Sequence, residues 1–178
     1  MNAHMRLASA MARLGARAST IAQQAGISAG AARRLYMEVH GRCSPPGQMP
    51  ASMKYFAQPI PRVHASLFLH FFEPRLSRGL GLGEAATLAF ADYAAAAGEA
   101  VEFDFERAFF LAKVFAAQQS RPGREIRKRP CRKCGTQYYV MHPIDASDRH
   151  ICPLCSGRVQ ASLAIRQRFG DSLERSER

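Results

Sequence analysis

Apolar residues recur at helical spacing through most of the chain, and this pattern predicts a mainly α-helical protein. Near the start, Met5, Leu7, Met11 and Leu14 fall at the spacing of one or two helix turns. They predict a first helix over residues 3–14. Three later segments show comparable apolar faces, at residues 62–72, 83–97 and 104–119. We therefore expect a helical body that occupies residues 1–119.

Residues 18–39 have the pattern of a helix-turn-helix. Thr20, with a glutamine three residues later, suits a capping box at the start of a second helix. Gly26 permits a sharp turn, and Ser28 suits the N-cap of a third helix that runs to residue 39. Small and apolar residues lie where two such helices would cross. An ordinary helical hairpin that packs against another surface remains an alternative, because small residues and a central glycine are weak signals.

Proline-containing segments interrupt the helical pattern at three places. Residues 41–50 should end the third helix in a loop, and residues 58–61 should form a second break before a helix that begins at Arg62. Pro74 follows that helix. Proline lacks the backbone N–H that a helix interior needs, so each proline predicts a boundary.

Aromatic residues are concentrated in the later helices. Phe68, Phe72, Phe109 and Phe115 lie on their apolar faces, and the simplest role for them is to fill the core. A surplus beyond what the core needs would form a surface for a partner protein. Residues 62–119 are thus the predicted partner-binding helices.

Two Cys-x-x-Cys pairs follow the helices, with 17 residues between them. This spacing is typical of a four-thiolate zinc site, since two residues between thiols allow a tight turn that aims both sulfurs at one point. A redox dithiol and two structural disulfides are the alternatives. Zinc with four thiolates has no open coordination position, so the site should hold structure, and the pattern argues against a zinc hydrolase. The predicted ligands are Cys131, Cys134, Cys152 and Cys155. We assign no function to the fifth cysteine, Cys43.

A short β ribbon should accompany the cysteines. Residues 136–141 have strand character, and residues 149–152 are the predicted pairing partner. The fold class is therefore mainly α: a helical body with a helix-turn-helix-like segment, followed by a small zinc-ribbon-like module. We place a basic linker and this module at residues 120–160, and a charged, flexible tail at residues 161–178.

The net charge of +11 is unevenly distributed along the 178 residues. Residues 1–50 carry six arginines and one glutamate, a net of +5. Residues 51–120 carry six basic and seven acidic groups, and residues 121–178 carry thirteen basic and six acidic groups. Positive ends around a neutral middle predict that the ends contact a polyanion while the middle supplies core or a protein interface. A generally solvated basic surface remains an alternative.

The basic residues that we expect to contact DNA fall into two groups. The densest basic run lies just before and within the first cysteine pair, and a second group lies at the start of the predicted third helix. Most of these contacts should be to phosphates, with arginines able to reach guanine as well. The candidates are Arg127, Lys128, Arg129, Arg132 and Lys133 in the first group, and Ser28, Arg33 and Arg34 in the second.

The chain should be a cytoplasmic protein. No apolar run approaches the ~20 residues that cross a bilayer, and the first residues do not form an apolar signal region. Free thiols arranged for a metal suit a reducing compartment.

Several short motifs, taken together, resemble the FlhC family of flagellar transcriptional activators. In chain order they are Leu14-Gly-Ala-Arg, Arg34-Leu-Tyr-Met-Glu-Val, Ser44-Pro-Pro-Gly-Gln-Met-Pro, His64-Ala-Ser and the two cysteine pairs. The likeness covers residues 7–157 and depends on the combination, because no single motif would be specific enough.

The resemblance implies a function and partners. FlhC proteins act with FlhD, as four FlhD and two FlhC subunits, bind double-stranded DNA upstream of flagellar operons and help to recruit RNA polymerase. It also implies one zinc held by the four cysteines. A zinc-ribbon RNA-binding protein is the alternative function. It would share the charge and the thiols, and would use exposed aromatic residues such as Tyr138 and Tyr139 to stack on single strands.

Overall fold

The fold is mainly helical, in agreement with the prediction. A computed structural model of the chain describes residues 2–47, 52–119, 126–141 and 150–157. The predicted tail at residues 161–178 lies outside these ranges. The α-helices are α1 (Ala3–Arg13), α2 (Ala18–Ala25), α3 (Ala29–His40), α4 (Lys54–Ala57), α5 (Pro59–Ser77), α6 (Leu82–Ala97) and α7 (Phe105–Gln118). A 3-10 turn spans Gly98–Ala100, and the strands are β1 (Ile126–Pro130) and β2 (Gln137–Met141).

Helices α2 and α3 lie where the helix-turn-helix was predicted. Gly26 ends α2 in a left-handed conformation with φ of 63°, which glycine adopts without steric cost. The side chain of Ser28 accepts a hydrogen bond from the backbone N–H of Ala31 at 3.2 Å and so caps α3 as expected. The predicted cap at Thr20 is wrong. Helix α2 already begins at Ala18, and Thr20 lies buried within it.

Helix α5 is longer than its prolines suggested. It begins at Pro59 and continues past Pro74 to Ser77. The predicted break at residues 58–61 is therefore wrong except at Gln58, which is extended. Proline suits the first helical turn because the N–H that it lacks would have no partner there. Pro74 lies inside the helix one turn before its end, so it removes one hydrogen bond without ending the helix.

The core is built around α5. Phe68, Leu69 and Phe72 are completely buried on this helix, which packs against α6 and α7. Tyr93 of α6 meets Phe68 edge-on at a centroid distance of 6.4 Å, and Phe115 of α7 meets Phe72 at 6.0 Å. Full burial of such side chains contributes roughly 1.5–3 kcal/mol each. The aromatic residues on the later helices are thus largely core residues.

The two strands form an antiparallel ribbon that differs from the predicted one. β2 pairs with β1, and Arg127 lies opposite Val140 while Arg129 lies opposite Tyr138. The prediction that residues 149–152 supply the partner strand is wrong, since residues 150–152 are not in a strand. The strand instead comes from the basic segment, where an apolar residue at 126 lets one face of a charged stretch pack against the core.

None of the helices in the described ranges is long and apolar enough to cross a membrane.

Candidate functional site

The four cysteines of the two pairs converge on one point. Their Sγ atoms all lie within 4.8 Å of one another, and those of Cys134 and Cys152 are 3.9 Å apart. Tetrahedral zinc with Zn–S bonds of about 2.3 Å places its sulfur ligands about 3.8 Å apart. The cluster therefore has the residue types and the spacing that such an ion requires.

Both cysteine pairs lie in the same kind of turn. The N–H of Gly135 donates to the carbonyl of Cys131 at 2.9 Å, and the N–H of Ser156 donates to the carbonyl of Cys152 at 3.0 Å. Backbone N–H groups also approach the sulfurs. Sγ of Cys131 lies 3.4 Å from the backbone N of Lys133 and 3.3 Å from the backbone N of Cys152. Each turn thus presents its two thiols together, and the donors around the sulfur of Cys131 favour its thiolate.

The four clustered thiols need a nearby cation if all of them are to be ionised. Burial raises the pKa of Cys131, but the backbone N–H groups around its sulfur outweigh burial and lower that pKa to about 6. Burial raises the pKa of Cys152, and burial together with the thiol of Cys134 raises the pKa of Cys155. Four thiols this close together cannot all ionise unless a metal ion compensates the charge of the thiolates. The donor set therefore fits a bound metal.

The ribbon carries this cluster on one face and the helical core on the other. Residues directly opposite each other in an antiparallel pair share a face. Ile126, Tyr139 and Met141 belong to the core formed by the helices, whereas Tyr138 and Val140 pack with Cys131 and Cys152. The ribbon is therefore the connection between the helical body and the cysteine cluster.

The basic residues of β1 do not form one surface. Side chains alternate between the two faces of a strand, so Arg127 and Arg129 lie on the cysteine face while Lys128 lies on the helical face. Nη1 of Arg129 is 3.0 Å from Nδ1 of the His150 ring. Nζ of Lys128 donates to Oε2 of Glu73 on α5 at 2.8 Å.

Arg132 and Lys133 are exposed on the first cysteine turn. Nζ of Lys133 lies 3.4 Å from the carbonyl oxygen of Cys155 in the second turn. These two cations are therefore presented by the cysteine cluster itself. The basic residues at 121 and 124 lie outside the described residues.

The candidates in the helix-turn-helix lie on a different part of the molecule. Ser28, Arg33 and Arg34 are exposed at the start of α3, and α3 packs against α1 and α2. The hydroxyl oxygen of Ser28 is occupied as the cap of α3. Arg33 and Arg34 are the two exposed cations of this helix start.

Three side chains that fix the helix-turn-helix were not singled out from the sequence. The buried carboxylate of Glu106 on α7 accepts hydrogen bonds from the backbone N–H of Arg17 at 2.6 Å and from the hydroxyl of Thr20 at 2.9 Å. Nδ1 of His4 lies 2.8 Å from the carbonyl oxygen that ends α2, and Nε2 of His40 lies 2.7 Å from the carbonyl oxygen of Ala12 in α1. Their partners are 21 to 89 residues away along the chain, so no local pattern could have indicated them.

Comparison with known proteins identifies the family. The family model described as "Flagellar transcriptional activator (FlhC)" matches residues 2–168. A flagellar transcriptional regulator FlhC from Cupriavidus necator is 32% identical over 155 residues, which is 85% of this chain and 73% of that protein. Proteins of the same name from Cupriavidus metallidurans and Thauera aminoaromatica are 28% and 27% identical, over 85% and 92% of this chain and 70% and 82% of those proteins. This chain belongs to the FlhC family of flagellar transcriptional activators.

Proposed function

We propose that this chain is the DNA-binding subunit of an activator complex that, together with FlhD, switches on flagellar operons. It binds double-stranded DNA upstream of the promoter and helps to recruit RNA polymerase in the cytoplasm. The observation that carries the proposal is the presentation of basic residues by the four-cysteine cluster and its ribbon. A transcriptional regulator needs such a cationic, rigidly held surface to bind a duplex through its phosphates.

The cluster holds one structural zinc ion per chain through Cys131, Cys134, Cys152 and Cys155. When bound, zinc supplies a cross-link between the two cysteine turns and compensates the thiolate charge. The four thiolates leave no position for water, so the site supports a surface and carries out no reaction. A redox dithiol needs only two thiols, whereas all four Sγ atoms lie within 4.8 Å of one another, as a metal site requires.

Two groups of residues contact the duplex. Arg127 and Arg129 on the ribbon, with Arg132 and Lys133 on the first cysteine turn, bind phosphates. Arg33 and Arg34 at the start of α3 form the second contact and are placed to reach base edges or phosphates. Because α3 otherwise begins with alanines and a glycine, base-specific contacts from it should be few.

The partner surface lies on helices within residues 62–119. Leu88 on α6 and Val101 after the 3-10 turn are exposed large apolar side chains in this range. Contacts with FlhD would remove them from water. An assembly of four FlhD and two FlhC subunits gives two copies of the DNA-binding surface, which suits a duplex site with two halves.

The RNA-binding alternative loses its principal support. Reading of single strands depends on exposed aromatic rings that stack on bases. Tyr138 and Tyr139, which were the candidates, are 2% and 1% exposed. One packs in the cysteine cluster and the other in the helical core.

A competition experiment tests the proposed function. The chain is purified with FlhD, bound to a labelled flagellar promoter duplex, and challenged with unlabelled duplex of unrelated sequence, with single-stranded DNA and with single-stranded RNA. We expect the promoter duplex to compete best and both single strands to compete poorly. Preferential competition by single-stranded RNA would favour the alternative and contradict the proposal.

A further inference from the structure

Lys128, at the middle of β1, contacts the helical body. Its Nζ donates to Oε2 of Glu73 at 2.8 Å, and the hydroxyl of Tyr139 donates to the same oxygen at 2.7 Å. The ammonium lies 5.9 Å from the centroid of the Tyr139 ring. We call these three residues the Glu73 latch. They join the middle of the ribbon to α5, the central helix of the body.

The protonation states of the latch suit these hydrogen bonds. Burial raises the pKa of Glu73, but the hydrogen bonds from Lys128 and Tyr139 outweigh it and hold that pKa below its usual value. Burial and the neighbouring carboxylate raise the pKa of Tyr139. At neutral pH the latch therefore consists of the Glu73 carboxylate and two hydrogen-bond donors, the Lys128 ammonium and the neutral Tyr139 hydroxyl.

Two further contacts fix the ribbon on the body. The backbone N–H of Tyr139 donates to Oγ of Ser66 on α5 at 3.1 Å. The side-chain amide of Gln118, at the end of α7, donates to the carbonyl oxygen of Ile126 at 3.0 Å and accepts from the N–H of Ile126 at 2.9 Å. With the latch, these contacts hold both strands of the ribbon against α5 and α7. The orientation of the ribbon relative to the helix-turn-helix is thereby defined.

We infer that Lys128 is a positioning residue and not a phosphate contact: through Glu73 it holds the ribbon in the orientation in which Arg127 and Arg129 meet the duplex. This inference rests on the proposed duplex-binding function. A cation that neutralises a phosphate must not already be neutralised within the protein. Lys128 would have to leave Glu73 to do so, and the carboxylate, whose side chain is 31% exposed, would keep the hydrogen bond from Tyr139 but lose its counter-charge.

The inference separates two effects that substitution of a basic residue can have on DNA binding. Loss of a phosphate contact reduces the slope of log affinity against log salt concentration by about 0.9. Loss of a positioning contact leaves the number of phosphates unchanged, so the slope stays the same while the affinity for the promoter falls because the surface is less well pre-organised.

The test compares matched variants of the full chain in complex with FlhD, binding to the promoter duplex over a range of salt concentrations. Lys128→Met and Glu73→Gln each break the ion pair, and the double variant removes both partners. Lys128→Arg preserves the pair. Arg127→Met removes a proposed phosphate contact, and Lys113→Met removes an exposed lysine of α7 as the control for a change in net charge alone.

We expect Lys128→Met and Glu73→Gln to weaken promoter binding to a similar extent, roughly two- to tenfold, with an unchanged salt slope. The double variant should be no weaker than either single variant, and Lys128→Arg should bind like the unaltered complex. Arg127→Met should reduce the slope by about 0.9. If Lys128→Met reduces the slope by that amount, and still does so in the Glu73→Gln background, Lys128 is a phosphate contact and the inference is wrong.

A second readout separates the failure of this inference from failure of the proposed function. The same four-variant cycle is measured by thermal unfolding and by hydrogen exchange of the ribbon amides, without DNA. The latch predicts a coupling between Lys128 and Glu73 and faster exchange in β1 and β2 of either single variant. Additive effects and unchanged exchange would overturn the latch even if the complex binds DNA. If the complex binds no duplex, the proposed function fails, and these two measurements alone decide the latch.

Discussion

A single buried carboxylate, that of Glu106, joins the helix-turn-helix to the helical body. Helix α2 has no side-chain cap of its own at Arg17. Glu106 on α7 takes that role by accepting hydrogen bonds from the Arg17 N–H and the Thr20 hydroxyl. Ser44, from the loop after α3, accepts a further hydrogen bond from the N–H of Ala18 at 3.0 Å. The start of α2 is therefore held by two distant parts of the chain.

Replacing Glu106 by alanine should destabilise the protein. The change removes the two hydrogen bonds that Glu106 accepts from the N–H of Arg17 and the hydroxyl of Thr20, and the loss should cost about 1–3 kcal/mol of unfolding free energy. Glutamine retains an acceptor for the N–H and a donor for the hydroxyl, so Glu106→Gln should cost much less. Urea unfolding measures both, with Glu99→Ala as the control at an exposed acid. Equal stability of the Glu106→Ala and Glu99→Ala variants would contradict the capping role.

The same residue predicts a pH dependence. Burial raises the pKa of Glu106 above its ordinary value of 4.5, despite the hydrogen bonds that oppose the shift. Between that value and the higher folded one, the folded chain keeps a proton that the unfolded chain has released. The contribution of this group to stability therefore falls as pH rises through that window and is level above it. Glu106→Gln should remove this part of the pH dependence, which unfolding curves at several pH values would reveal. A pH profile identical to that of the unaltered chain would contradict the assignment.

At the scale of the elements, α2 and α6 approach each other very closely at Gly83. A Cβ atom added there would lie 2.7 Å from Cβ of Gln24 on α2. The lack of space between the two helices, and not the backbone conformation, is the reason for a glycine at position 83. This approach sets the distance between the helix-turn-helix and α6.

Gly83→Ala should therefore destabilise the chain in spite of alanine's higher helix propensity. The two helices must separate or Gln24 must move, which costs typically about 1–3 kcal/mol. Gly30→Ala in α3 is the matched control, since a Cβ there lies 3.7 Å from its nearest neighbour. That variant should be up to about 1 kcal/mol more stable than the unaltered chain. If calorimetry finds both variants stabilised to the same degree, the packing of α2 against α6 is not as close as described.

The elements also show which features local sequence can predict. Ser28 and Gly26 marked helix ends correctly, because each acts on backbone groups within a few residues of itself. The convergence of the four cysteines followed from their spacing. The cap of α2 and the partner of β2 could not be predicted in this way. The acceptor at Glu106 is 89 residues from Arg17, and β1 is a strand because its alternate residues pack against the helices.

At the scale of the whole molecule, the neutral and the basic parts of the sequence form different parts of the fold. The neutral middle of the sequence forms α5, α6 and α7, and these helices contain most of the aromatic core. The basic ends supply the helix-turn-helix and the ribbon with its cysteine cluster. Because the ribbon packs in the same core as the helices, the two basic parts belong to one rigid unit. Such a unit can present two contacts to one duplex without first having to order them.

A metal titration of the full complex tests most directly whether the four-cysteine cluster holds the proposed DNA-binding surface. The chain is purified with FlhD, stripped of metal under reducing conditions, and titrated with zinc while promoter binding and free thiols are measured together. We predict that affinity for the duplex rises as four thiols per chain become protected, and that both level off at one zinc per chain. Cys43→Ser should behave like the unaltered chain, and Cys131→Ser should show no rise. Full duplex affinity in the metal-free complex, with all of its thiols reactive, would contradict this claim.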